Sequence, residues 1–170
     1  MSHEQEAGAV FSPCRKYRYR LWRNWNTSLP RLLFCMLNPS KADESEDDAT
    51  ITRCRERAAR LGFGSVEAVN LFAWCSTTPD KLWQVDDPVG PDSDQAILKA
   101  ARDAKTVICA WGEHGLAARI VDGRSRAGRV RQLLQEAGAT PHVLGLTQNG
   151  APRHPLYVAY EVQPAVWEQE

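Results

Sequence analysis

Apolar runs and periodic stretches follow one another along this chain in a regular order. Tyr17-Arg-Tyr-Arg-Leu-Trp-Arg alternates with period two, which predicts a strand carrying Tyr17, Tyr19 and Leu21 on one face and Arg18, Arg20 and Trp22 on the other. Turn residues fill positions 24–30, so this strand hairpins into the next. Residues 32–37 are apolar at every position, as in a central strand covered on both faces. Asp47 or Asp48 is placed to cap a helix reaching about Leu61, with Ile51, Cys54, Ala58 and Leu61 on its buried stripe and Gly62 ending it. Arg53, Arg57 and Arg60 share a separate face of that helix.

Residues 66–72 read as another strand, and a short helix through Trp83 follows the loop after it. Asp92 with Gln95 has capping-box spacing ahead of a helix that carries Ile97, Leu98, Ala101 and Ala104 inward. A strand at 106–110, a helix with Val130, Leu133, Leu134 and Ala137 on its stripe, and a strand at 142–146 complete the pattern. A hairpin strand followed by β-α-β-α-β-α-β predicts a three-layer α/β/α sandwich, its central sheet mostly parallel and its N-terminal strand an antiparallel edge.

Composition narrows the organisation. A chain of 170 residues, 43% hydrophobic and 25% charged, fits one domain at 11–170 behind a flexible polar tail at 1–10. Formal net charge is zero, so no global field calls for nucleic acid or membrane. Charge is nevertheless segregated: Arg15, Lys16, Arg18, Arg20, Arg23 and Arg31 run without an acid between them, and Asp43, Glu44, Glu46, Asp47 and Asp48 follow. Five cysteines, widely spaced and without a CxxC pair, fit a reducing cytoplasm better than a zinc or iron-sulfur site. The stretch MSHEQEAGAV lacks the regions of a signal peptide, and no apolar run spans a membrane, so a soluble cytoplasmic protein is expected.

In a parallel α/β sheet the strand carboxyl ends share one rim, where ligands bind. Four loops should meet there: 38–43, 70–78, 111–115 and 147–157. They hold most of the chain's unusual polar residues, above all GLTQNGAPRHPLY at 145–157.

The segments MLNPSKAD, DDATITRC, VNLFAWCSTTP, DPVGP and GLTQNGAPRHPLY together closely resemble the bacterial and phage family catalogued as domain of unknown function 1643, which implies no activity. More distantly, Leu37-Asn38-Pro39, Val69-Asn70-Leu71-Phe72 and His154-Pro155 resemble, in order and approximate spacing, three motifs of the uracil-DNA glycosylase superfamily. That superfamily has an early motif ending in Asp-Pro or Asn-Pro, a strand ending in a base-recognising Asn, and a late His-Pro. The early motif here lacks the expected nearby glycine, no separate base-stacking aromatic is assignable, and the four-cysteine cluster of some branches is absent.

This resemblance implies a uracil-DNA-glycosylase-like fold and N-glycosidic cleavage on a nucleobase, nucleotide or nucleic acid, with no cofactor or metal. Asn38 would hold the water and His154 would donate to the departing base. Asn70 would read the base edge, Phe72 or Trp74 would stack, Arg153 would contact phosphate, and Pro39 and Ser40 would complete the pocket wall.

Each residue also has a structural explanation. Asn38 before Pro39 suits a strand terminus, Asn70 suits a strand end, and Trp74, Trp83 and Trp111 suit packing. His154 between Arg and Pro is the hardest to explain that way. His114 fits an exposed loop, and Arg124, Arg126, Arg129 and Arg131 fit a solvated helix. The arginine strand at 15–23 suits either a nucleic-acid backbone or an edge protected by charge. Two other functions stay open: a non-catalytic nucleotide- or nucleic-acid-binding module, and a phosphohydrolase holding magnesium on Asp43, Asp47 and Asp48.

Overall fold

In the computed structural model, which describes residues 6–168, nine strands and three α-helices form along the chain. The strands are β1 (Ala7–Phe11), β2 (Arg18–Asn24), β3 (Arg31–Met36), β4 (Ser65–Asn70), β5 (Thr106–Cys109), β6 (Ile120–Val121), β7 (Arg124–Ser125), β8 (Pro141–Val143) and β9 (Ala165–Val166). The helices are α1 (Ala49–Arg60), α2 (Ser93–Asp103) and α3 (Arg126–Glu136). Seven strands make the main sheet in the order β1-β2-β4-β3-β5-β8-β9, and β6 and β7 pair as a small separate ribbon.

The all-apolar run becomes the middle of the sheet for the reason its composition implies. β3 pairs in parallel with β4 on one side and β5 on the other, and β5 pairs in parallel with β8. Alternate β3 residues therefore feed two cores. Leu32 and Phe34 meet Ile51, Cys54 and Ala58 of α1 on one face. Leu33 and Cys35 meet Ile97 and Ala101 of α2 and Val130, Leu133 and Leu134 of α3 on the other. Helix, sheet and helices make three layers around a mostly parallel centre.

Several details differ from the sequence expectation. β2 is not the sheet edge, because β1 covers it in antiparallel register from Ala7↔Arg23 onward. Residues 7–10 of the expected tail thus lie in a strand, while residues 1–5 fall outside the described residues. Asp92 precedes α2 but makes no side-chain cap, and Ala100 rather than Leu98 lies fully inward. β9 adds a second antiparallel border against β8. Two-residue strands carry no readable period, which is why β6, β7 and β9 were silent in the sequence.

The segregated charges turn out to be partners. Arg15 pairs with Glu44 at 2.7 Å, and Arg23 pairs with Asp47 at 2.8 Å while donating to the carbonyls of Asp43 and Glu46. Arg20 and Arg31 both hold Glu67, which is 1% exposed. Arginines of the basic strand are consequently tied into the fold by carboxylates and carbonyls. Arg126, expected on a solvated helix face, is buried and donates to the Leu71 carbonyl, the Ser93 hydroxyl and Asp94. No described helix is long and apolar enough to cross a membrane.

Candidate functional site

Strand order creates the site. After β3 the chain crosses by α1 to β4, whereas after β5 it crosses by α3 to β8 on the opposite side, so the two connections diverge at the carboxyl ends of β3 and β5. Divergence opens a crevice there.

Hydrogen bonds fasten the rim loops in pairs. Pro39 carbonyl accepts from Ser76 N–H at 2.9 Å, and the Asn38 amide nitrogen donates to the carbonyls of Ser76 and Pro39 at 2.9 and 3.0 Å. The β3 and β4 loops are therefore joined. On the other side Gly112 N–H donates to the Pro152 carbonyl at 2.8 Å, and the Thr147 hydroxyl donates to Glu113 at 2.7 Å. Gly112 sits at φ +74°, and a Cβ there would lie 3.5 Å from that of His154, so this turn runs against the His154 backbone. The β5 loop is joined to the segment after β8.

Between the two pairs lies a cavity of about 140 Å³. Asn38, Pro39, Ser40, Asn70 and His154, five of the residues expected at the site, line it. The other three do not. Phe72 is wholly buried in the core between the sheet, α2 and α3, where no base can reach its ring. Trp74 packs edge-on against Tyr17 at 5.3 Å with the Lys16 ammonium over its face. Arg153 folds back to donate to the Tyr157 carbonyl.

Local bonding fixes what each lining group presents. Two carbonyls hold the Asn38 amide nitrogen, so the oxygen faces away from them as an acceptor with no donor among the described residues. Asn70 is buried, and its oxygen accepts a long 3.4 Å bond from Arg18, which leaves the amide nitrogen as a donor with no acceptor among the described residues. His154 accepts the Leu156 N–H on Nδ1 at 3.2 Å, so the neutral ring carries its proton on Nε2. Burial lowers the His154 pKa, with the Asp48 charge opposing, and the ring is neutral at pH 7.

Arg18, Thr50 and Trp111 also line the cavity and were not singled out as site residues, and Asp48, considered only as a magnesium ligand or helix cap, lines it too. Arg18 is re-aimed by an irregularity in pairing: Val10 opposes Arg20 while Phe11 opposes Arg18, which makes Tyr19 an extra residue. The bulge places Arg18 beside Asn70 and the Ala42 carbonyl, and nothing in the alternating pattern foretold it. Burial lowers the Arg18 pKa to about 10, which leaves the guanidinium charged at neutral pH. Asp48 caps α1, as its position suggested, accepting from Ile51 N–H at 2.9 Å. A helix beginning just after a rim loop puts its cap on the rim, and that geometric signal was available in the sequence.

The other singled-out residues have structural partners. Asp43 accepts from the backbone of Ser45 and Glu46, and Asp47 is held by Arg23 and Arg55. Among the described residues no group of three His, Cys, Asp or Glu side chains is placed to hold a metal ion. His114 is half-buried, with Nδ1 accepting from Leu116 N–H and Nε2 2.9 Å from Asp80, and so pins two loops together. Cys35, Cys54 and Cys109 are buried thiols whose pKa values burial raises.

Residues 18–156, most of the chain, match the family described as Protein of unknown function (DUF1643). No curated protein and no solved structure matches the chain.

Proposed function

The chain belongs to the DUF1643 family, and we propose that it acts on a nucleobase within a nucleic acid or nucleoside, cleaving the N-glycosidic bond as uracil-DNA glycosylases do, on a fold of their general kind. The observation that carries this reading is the meeting of Asn38, Asn70 and His154 on one cavity. The cavity's size supports a base rather than a whole nucleotide. Ligand pockets for larger molecules run about 300–1,000 Å³, whereas 140 Å³ equals the liquid share of only about four or five waters. One heterocyclic ring fits, with its sugar left at the mouth.

Breaking a base–sugar bond builds positive charge on the sugar and negative charge on the base. Neutral His154 offers Nε2–H to a base oxygen, and the Asn70 amide nitrogen offers a second donor. The Asn38 oxygen accepts from a water and orients it. The base must leave its stack to enter so small a hollow, which favours damaged, mismatched or single-stranded substrates.

The test is incubation of the protein with oligonucleotides carrying uracil and a panel of damaged bases, followed by alkali. Strand scission by the wild type is expected, reduced roughly 10²–10³-fold in His154→Ala, the usual loss for one oriented donor. Binding without scission supports a non-catalytic module instead, and metal-dependent phosphate release supports a phosphohydrolase. Identical behaviour of His154→Ala and wild type on every substrate defeats the glycosidase reading.

A further inference from the structure

An amide can orient a water but cannot take its proton, so the site as described has a water holder without a base. The carboxylate of Asp48 lines the same cavity as Asn38 and His154. One of its oxygens is committed, accepting the Ile51 N–H at 2.9 Å, while the other accepts no hydrogen bond from the described residues. Arg18 and His154, the two groups that would meet the ligand, line that cavity with it. Arg18 itself is 3% exposed, has an Nε with no partner and makes no ion pair with Asp48, although both line the hollow. Burying a guanidinium without a touching carboxylate is costly, and here both charges border one hollow.

We propose that Asp48 is the general base of this site, taking the proton of the attacking water while Arg18 and His154 receive the base. The assignment rests on the glycosidase reading above. As the water oxygen bonds to the anomeric carbon, its proton passes to the free oxygen of Asp48. The carbon–nitrogen bond breaks with its electron pair on the base, facing the donors of Arg18, His154 and Asn70. The proton then leaves Asp48 for the base nitrogen or solvent, which restores the carboxylate, and the sum is glycoside plus water giving free base and sugar hydroxyl.

The structural and chemical roles of Asp48 are separable, because Asn and Ser cap a helix about as well as Asp but neither is a base at neutral pH. D48N and D48S are compared with wild type by thermal melting, by binding to the oligonucleotide that wild type cleaves, and by single-turnover cleavage. Melting and binding should stay close to wild type while the cleavage rate falls at least 100-fold, within the range of about 10²–10⁴ for loss of a general base. A wild type that cleaves while both variants cleave within threefold of it overturns Asp48 as base and leaves the glycosidase reading intact. A wild type inert on the whole panel overturns the glycosidase reading and, with it, this role for Asp48.

Discussion

Two hollows on different parts of the protein's surface make a contrast, and the larger of the pair is the less informative. A cavity of about 420 Å³ beside the starts of α2 and α3 is lined by Arg124, Arg126 and Arg129 together with Asp87, Asp94 and Asp122. Its charges mostly satisfy one another. Arg126 uses all three nitrogens on Leu71, Asp94 and Ser93, Arg129 pairs with Asp94, and Arg124 donates to Gln132. The hollow of 140 Å³ holds fewer charges, but among the described residues the Asn38 oxygen, the Asn70 amide nitrogen, His154 Nε2 and one Asp48 oxygen, all from side chains that line it, have no hydrogen-bond partner. Hydrogen-bonding capacity left open in a buried place marks a ligand site better than volume or charge count, since folding alone selects against it.

Two buried arginines put this contrast to its strongest test. Arg18 and Arg126 are 3% and 2% exposed, yet one has only the Ala42 carbonyl and a long bond to Asn70, and the other is fully paired. Arg18→Met should lower affinity for the base-containing substrate about a hundredfold, the worth of one charged hydrogen bond in a dry site. The same change strands the Ala42 carbonyl but also removes a buried cation that no carboxylate touches, and these oppose each other, so the melting temperature should fall less than in Arg126→Met. Calorimetric melting and equilibrium binding read the two arms. Loss of stability with unchanged affinity would make Arg18 a structural residue and end the contrast.

Arg126→Met should give the opposite pattern. Removing it strands the Leu71 carbonyl and a half-exposed Asp94, at a cost of about 2–3 kcal/mol, less than for a fully buried pair because water reaches Asp94. In a domain of this size that lowers the melting temperature by roughly 5–10 °C. Substrate affinity measured well below melting should match wild type. A variant that melts normally but loses binding would move the ligand site to the larger hollow.

What the sequence made legible follows the same division. Elements with many repeats of a period were readable: β3 from its unbroken apolar run, α1 from a stripe of Ile51, Cys54 and Ala58 with Asp48 ahead of it. The convergence of Asn38, Asn70 and His154 followed from parallel topology, which brings distant strand ends to one rim. Arg18 was not legible, because one inserted residue at Tyr19 reverses the faces of an alternating strand without altering its composition. Phe72 misled for a related reason. It lies only two residues beyond Asn70, but β4 ends between them and the chain enters the core, so adjacency in sequence did not carry adjacency in the site.

The smallest effect concerns His154 and the dependence of stability on pH. Burial holds its folded pKa below the ordinary value of 6.5, so at pH values between the two the unfolded chain binds more protons than the folded one. Stability must then rise with pH across that window, be fully present above 6.5, and be lost as pH falls toward the folded pKa. Protonation of the half-buried ring also removes the acceptor that Nδ1 offers to Leu156 N–H, which acts in the same direction. His154→Gln cannot titrate. The difference in melting temperature between wild type and this variant, followed from pH 5 to pH 8, should move in favour of wild type as pH rises and level off above 6.5. A difference that stays flat across that range would mean that the ring is solvated and accessible in both states, and the small hollow would lose the neutral donor on which its contrast with the larger one depends.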